Sequence, residues 1–278
     1  MNKNRLFVVN KPADIGCNLF LSKIKKKYNV KKAGFSGTLD PLASGVIIIA
    51  NRQNTKLFRF LKKSPKKYRA TLHFGVNSKS LDTENIQSIE NVDEVDLSKI
   101  EKISKELITT ITYSPPKFSA KKIDGQRAYD LARKDVEFET KKIETTIYEF
   151  KILEYKHPHL TFEISVSEGG YIRSIAAILA EKLGTFGSLS SLERLSEGDF
   201  NCAMYQNEES LNPINFLNLE ENFYLKDYED ISLGRVLKKE DFKSQDDGEY
   251  FLVKEGFLSI IKICNDEVFY ELNRVELC

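Results

Sequence analysis

Residues 34–45 read GFSGTLDPLASG and run directly into VIIIA. They surround one carboxylate, Asp40, with Gly34, Gly37 and Gly45, with Pro41, and with three small hydroxyl residues, Ser36, Thr38 and Ser44. Two chemistries suit so many glycines. One is a phosphate cradle, but a P-loop needs GxxxxGK[ST], and here Val46 follows Gly45; a GxGxxG fingerprint is absent as well. The other is a lone carboxylate presented on a tight turn. Pro41 fixes the backbone after it, an apolar strand anchors it from behind, and hydroxyls and backbone amides orient it. An Asp-Pro turn with no chemistry uses the same residues, and these twelve alone do not separate the two readings.

Groups far away in sequence bear on the choice. Tyr68 lies in KKYRATLHFG beside a basic cluster and offers a ring on which a base can stack. In SEGGYIRSIAAILAEKLG, Tyr171 and Arg173 open a strongly patterned helix just after a Glu-Gly-Gly turn. An arginine there is placed to pair with a carboxylate and keep it ionised, although core packing for Tyr171 and a surface charge for Arg173 are the plainer readings. A two-acid glycosidase would need a distant partner for Asp40 such as Asp82 or Glu168, and nothing in the sequence supports either. The four cysteines, Cys17, Cys202, Cys264 and Cys278, form no CxxC pair, and His73, His157 and His159 form no HExxH pattern. Free thiols, no metal and no nucleotide cofactor are expected.

The elements that position these groups follow from periodicity. Residues 5–9 read as a strand, 18–28 as an amphipathic helix, and 46–50 as a strand buried on both faces. Residues 54–62 read as a helix begun by Asn54, and 66–76 as an alternating strand. Residues 77–107 are polar and acidic, a loop with one helix near 97–107. The double proline at 115–116 fixes an extended segment before a helical stretch. Residues 143–155 and 159–166 read as paired strands, with His157 and His159 in a polar turn, and 171–183 as the clearest helix, closed by Gly184. Mixed elements without strict βαβ alternation predict an α+β fold. From residue 219 short strands and turns such as DDGE suggest a separate small β domain, giving domains at 1–218 and 219–278.

At 278 residues, with 41% hydrophobic and 30% charged content, the chain has the composition of a folded globular protein. No long apolar run and no signal-peptide pattern occurs, so a cytoplasmic location is expected. Net charge is only +1, yet residues 1–69 hold 17 Lys and Arg against two acids, Asp14 and Asp40, while residues 205–278 hold 8 against 17. A +15 segment suits a polyanion, most commonly nucleic acid; a solvated basic face is the alternative. Lys11, Lys31 and Lys32 are candidate phosphate contacts within it.

Taken in order, NKPADIG, GFSGTLDPLASGV, KKYRATLHFG, SPPKFSAKKIDGQRAYDLAR and GGYIRSIAAILAEKLG with LSSLERLSEGDF resemble the TruB family of tRNA pseudouridine synthases over residues 5–200. The resemblance implies a pseudouridine synthase fold: a large mixed, mainly antiparallel sheet flanked by helices, followed by a PUA-like β domain. It implies isomerisation of a T-loop uridine of tRNA (position 55) without cofactor or metal, by a monomer bound to the T-arm. Asp40 matches the family's essential aspartate, Tyr68 its base-stacking tyrosine and Arg173 the aspartate's partner. Leu192 falls at the apolar pocket position, Lys56 at an RNA-contacting lysine, and Asp82 at a second acid near the substrate strand; Tyr171 is a further substrate contact. Phe35 stands where the family usually has His, in the segment that wedges into the T-loop. NKPADIGCNLF also lacks the usual Thr-Ser, and SKSLDTEN the usual acid and terminal glycine. The acidity of residues 219–278 implies a minor binding role for that domain. Two alternatives remain, an RNA-binding or tRNA-folding factor on the same fold and a pseudouridine synthase for another RNA.

Overall fold

The computed structural model describes residues 4–119, 121–123, 125–134, 136–205 and 210–277. Strand β1 (Leu6–Lys11) leads into helix α1 (Cys17–Lys27), whose Phe20, Leu21 and Ile24 recur at helical spacing and face inward. Then come β2 (Ala33–Ser36), β3 (Ser44–Asn51), β4 (Lys66–Phe74) and α2 (Leu97–Glu106). They are followed by β5 (Thr110–Tyr113), β6 (Ile143–Lys156), β7 (His159–Val166), α3 (Ile172–Lys182), β8 (Gly187–Glu197) and β9 (Phe200–Asn201). These strands make one sheet in the order β1-β3-β8-β4-β7-β6-β5, with β2 added to β3 and β9 to β8. Only β3 and β8 run parallel, so the sheet is mixed and mainly antiparallel, and the fold is α+β as the sequence predicts.

The VIIIA run is apolar throughout because β3 feeds two cores. Ile47 and Ile49 enter a cluster under the helices with Ala70, Leu72, Phe162, Ile164, Ile175 and Leu179. Val46, Ile48 and Ala50 point the other way, toward Leu6, Val8, Phe251, Leu258 and Ile260. A strand covered on both faces has no polar side, and each of its Val and Ile side chains contributes about 1.5–3 kcal/mol by burial. The second core is closed by a four-stranded sheet, β10 (Glu220–Glu221), β11 (Gly248–Lys254), β12 (Phe257–Cys264) and β13 (Glu267–Glu276), in that spatial order. The C-terminal sheet thus packs directly on the outer face of β3 and holds the strand behind Asp40 in place.

Two segments differ from expectation. Residues 54–62, read as a helix capped by Asn54, form a 3-10 segment, Arg52–Arg59, and Asn54 is buried inside it without capping anything. Leu57 and Phe60 lie three apart and both drop into the second core, which suits three residues per turn. The 77–107 region holds α2 with Asp96 as its cap, the carboxylate accepting from Ser98 N–H at 2.9 Å. It also holds a hairpin that the polar sequence hides, Val76–Ser78 against Ile86–Ile89. Cys17, Cys202 and Cys264 carry free thiols; Cys278 lies outside the described residues. Among those residues no helix is long and apolar enough to cross a membrane.

The parallel meeting of β3 and β8 depends on Gly45. Its φ is +109°, and a Cβ there would stand 2.2 Å from the Arg194 carbonyl oxygen. Gly45→Ala is therefore expected to cost about 3 kcal/mol or more, since strain and a backbone clash coincide. Urea unfolding checks this; a loss below about 1 kcal/mol would show that the two strands part easily.

Candidate active site

Asp40 sits on the loop between β2 and β3, and backbone contacts on both sides fix it. Cys17 Sγ accepts from the Leu39 N–H and donates to the Leu39 carbonyl, both at 3.2 Å. On the other side the Pro41 carbonyl accepts from the Asp14 N–H at 2.8 Å and from Lys11 Nζ at 3.3 Å. Lys11 also donates to the Pro12 and Ile15 carbonyls at 2.8 and 2.7 Å. This corrects the expectation of a phosphate contact at Lys11. Its side chain is 0% exposed, and its ammonium spends its donors inside the protein, closing the 11–17 loop against Pro41.

Arg173, on the first turn of α3, reaches Asp40 from the opposite wall: Nη2 lies 2.8 Å from Asp40 Oδ2. The guanidinium is buried and divides its donors among four acceptors. Nη1 meets the Ser80 carbonyl at 2.6 Å and Asp82 Oδ2 at 3.2 Å, and Nη2 also meets the Phe118 carbonyl at 2.9 Å. A planar fork with several donors suits this; an ammonium does not. Asp82 is buried too, its Oδ1 accepting from Ser80 Oγ at 2.5 Å and from the Glu84 N–H at 2.9 Å. Asp82 therefore stands behind Arg173 as a second counter-ion, and it also lines the second cavity beside Asp40.

The Asp40 carboxyl is pushed above the ordinary carboxylate range. Enclosure by the cleft walls contributes most, the Arg173 charge pulls the other way, and the Asp82 charge pushes with the walls. The side chain still keeps 30% exposure, so water in the open cleft moderates the rise.

Two cavities meet at Asp40. One, of about 470 Å³, has Tyr68, Tyr171 and Leu192 among its walls together with Asp40 and Arg173. Tyr68 reaches it because β4 alternates, sending Lys66, Tyr68 and Ala70 to the helix side of the sheet. Burial raises the Tyr68 phenol above its ordinary value, opposed by Arg194, its partner across the β4–β8 ladder. The other cavity, of about 420 Å³, has Phe35 in its wall and shares Asp40 and Arg173 with the first. Each has room for a group the size of one base. Lys31, Lys32 and Lys56 are exposed and line neither cavity.

Sequence reasoning missed the cluster that backs Gly37. Arg194 and Glu197, both fully buried, pair at 3.2 Å, and Lys66 Nζ lies 3.2 Å from Glu197 Oε1. Ser36 Oγ donates to Glu197 at 2.9 Å, while Arg194 donates to the Val46 and Gly37 carbonyls at 2.7 and 3.0 Å. The signal was present: LERLSEGDF puts charges into a strand whose neighbours are apolar, and buried charges need partners. Gly37 is required here, with φ +62° and a would-be Cβ 2.8 Å from Glu197 Oε1. Among the described residues no three or more His, Cys, Asp or Glu side chains converge as metal ligands do.

Comparison with known proteins agrees in sequence and in fold. The model of the TruB family pseudouridylate synthase N-terminal domain matches residues 25–172. The tRNA pseudouridine synthase B of Campylobacter concisus is 54% identical over 275 residues, covering 99% of this chain and 100% of its own. That of Sulfurimonas denitrificans is also 54% identical, over 274 residues, covering 98% and 99%. Among solved structures, a chain of the Cbf5-Nop10-Gar1 complex superposes with a TM-score of 0.68 at 19% identity, covering 98% of this chain and 84% of that one. A chain of an H/ACA RNP bound to a substrate RNA containing 2'-deoxyuridine gives 0.64 at 17% identity, covering 98% and 84%. At those identities the likeness is one of fold.

Proposed function

Because the chain belongs to the TruB family of pseudouridylate synthases, we propose that it isomerises a uridine in the T-loop of tRNA to pseudouridine, with Asp40 as the catalytic carboxylate. The observation that carries this reading is the Asp40–Arg173 pair at 2.8 Å, facing a cavity walled by Tyr68 and Leu192.

In the reaction the N1–C1′ bond of uridine breaks, the uracil turns, and a C5–C1′ bond forms. The proton on C5 leaves and N1 gains one, so the product is an isomer of the substrate. A base in a folded loop must leave its stack first. The cavity receives it: Tyr68 supplies a ring face and Leu192 an apolar wall, which hold the uracil while it turns. Asp40, kept aimed by Arg173, acts on the ribose or the base as the glycosidic bond opens. Its enclosure suits that task, because a partly desolvated carboxylate is a stronger base and nucleophile than one in water. Phe35 lies in the second cavity, across Asp40, and fills the place of the flipped base in the T-loop. Lys31, Lys32 and Lys56 meet phosphates on the surface around the cleft. The C-terminal sheet, PUA-like in size and strand content, adds little phosphate grip because of its acidity.

An unmodified tRNA transcript incubated with the protein and digested to nucleosides tests the reading. One pseudouridine per tRNA, mapped to the T-loop, is expected. Binding without product would identify an RNA-binding factor on the same fold, and product only from another RNA would reassign the substrate.

A further inference from the structure

The turn between β7 and α3 carries Glu168, a carboxylate on the rim of the cavity that holds Asp40. Its side chain is 55% exposed, and one oxygen, Oε1, lies 3.4 Å from Lys63 Nζ and 3.8 Å from Lys66 Nζ. Two ammonium groups around one oxygen is the arrangement a phosphate oxygen adopts between two lysines. The cluster beneath explains the need for an anion. Lys63, Lys66 and Arg194 are three cations, and Glu197 supplies one buried carboxylate; Glu168 supplies the other charge from outside. The subsite adjoins the catalytic loop, since Lys66 Nζ lies 3.0 Å from where a Cβ on Gly37 would stand. Glu168 also borders a groove lined by Arg59, Lys62 and Lys63, which leads away from the cavity toward the C-terminal sheet. The other cations of that groove are matched in the same way, Lys62 by Asp199 at 3.7 Å and Arg59 by Glu271. The carboxylate stands more than half exposed on a turn whose next residue, Gly169, has open space around it.

We propose that Lys63 and Lys66 form a subsite for a phosphodiester of the RNA strand next to the flipped nucleotide, and that Glu168 fills it in the free protein as an internal counter-ion which RNA displaces. This rests on the RNA-modifying reading above. Three carboxylates, Glu168, Asp199 and Glu271, then shield the basic track until a stronger polyanion arrives.

The experiment measures the Kd of tRNA transcript by filter binding at low and high salt for wild type, Glu168→Gln, Lys63→Ala and the double variant. Glu168→Gln is expected to bind at least about threefold tighter at low salt, with the gain shrinking at high salt. In the Lys63→Ala background the gain should fall below half, because the partner it released is gone. Equal or weaker binding by Glu168→Gln, or a gain indifferent to Lys63→Ala, would overturn the subsite. Pseudouridine is assayed in the same preparations. A wild type that makes pseudouridine beside a Glu168→Gln that binds no tighter would overturn the subsite alone. A wild type that binds but makes none would overturn the catalytic reading while the Kd values still decide the subsite, and no binding at all would overturn both.

Discussion

Asp40→Asn is expected to lower pseudouridine formation by at least about 10³-fold while changing tRNA affinity less than about threefold. The amide keeps the volume and can still accept from Arg173, so the cavity and the loop backbone held by Cys17 and Lys11 stay in place. What is lost is the negative charge that acts as the glycosidic bond opens. The same substitution carries a stability signature. Asp40 has a raised pKa in the folded protein, so the native state holds its proton more tightly than the unfolded chain does, and the ionised form disfavours folding. Replacing it with a neutral amide should therefore raise stability at neutral pH. The gain should fade as pH drops through the unfolded value of 3.8, because the carboxyl then becomes protonated in both states. Loss of turnover with a gain in stability at pH 7 is the pattern of a group kept for chemistry. Single-turnover assays and urea unfolding at pH 7 and pH 3.5 measure the two; residual turnover within tenfold of wild type would remove Asp40 from the reaction.

The parts of this molecule that were legible in the sequence are those where one local signal has one physical cause. The VIIIA run announced a strand covered twice, and the 3.6-residue pattern from Ile172 announced α3. Asp40 and Arg173 were legible as a pair only through matched motifs, because nothing local says that residues so far apart meet. Errors arose where one residue type has two uses. Lys11 reads as a phosphate contact in a segment of +15, yet its ammonium is buried among three carbonyls. Asn54 reads as a cap, but the demand of Leu57 and Phe60 for the second core sets a tighter coil and buries it. Asp82 reads as an acid near the substrate strand, and its second role, as a counter-ion, appears only once Arg173 is seen between two acids. The Lys66–Glu197–Arg194 cluster is distributed over β4 and β8, and only their register joins it.

Arg173→Lys should reduce turnover by about 10²-fold, with tRNA binding nearly unchanged, and should move the acid limb of the pH profile upward. Arg173 serves Asp40, Asp82 and the carbonyls of Ser80 and Phe118 together. A lysine brings one ammonium to that set and cannot hold Asp40 while bridging to Asp82. Arg173→Ala is harsher: it leaves Asp82 buried without its cation and should cost about 3–5 kcal/mol of stability, so the lysine variant is the informative one. The sign of the pH shift follows from the charges. Arg173 pulls the Asp40 pKa down and Asp82 pushes it up. If ionised Asp40 is the active form, kcat/KM falls as pH drops through that pKa. Weakening the arginine contact raises the pKa and moves the limb to higher pH, whereas Asp82→Asn removes the opposing charge and moves it to lower pH. General damage to the cleft would lower the rate in both variants without displacing the limbs in opposite directions. The paired profiles therefore separate electrostatic control of one carboxylate from loss of shape, and limbs that move together would refute the arrangement of one arginine between two acids as the device that sets Asp40.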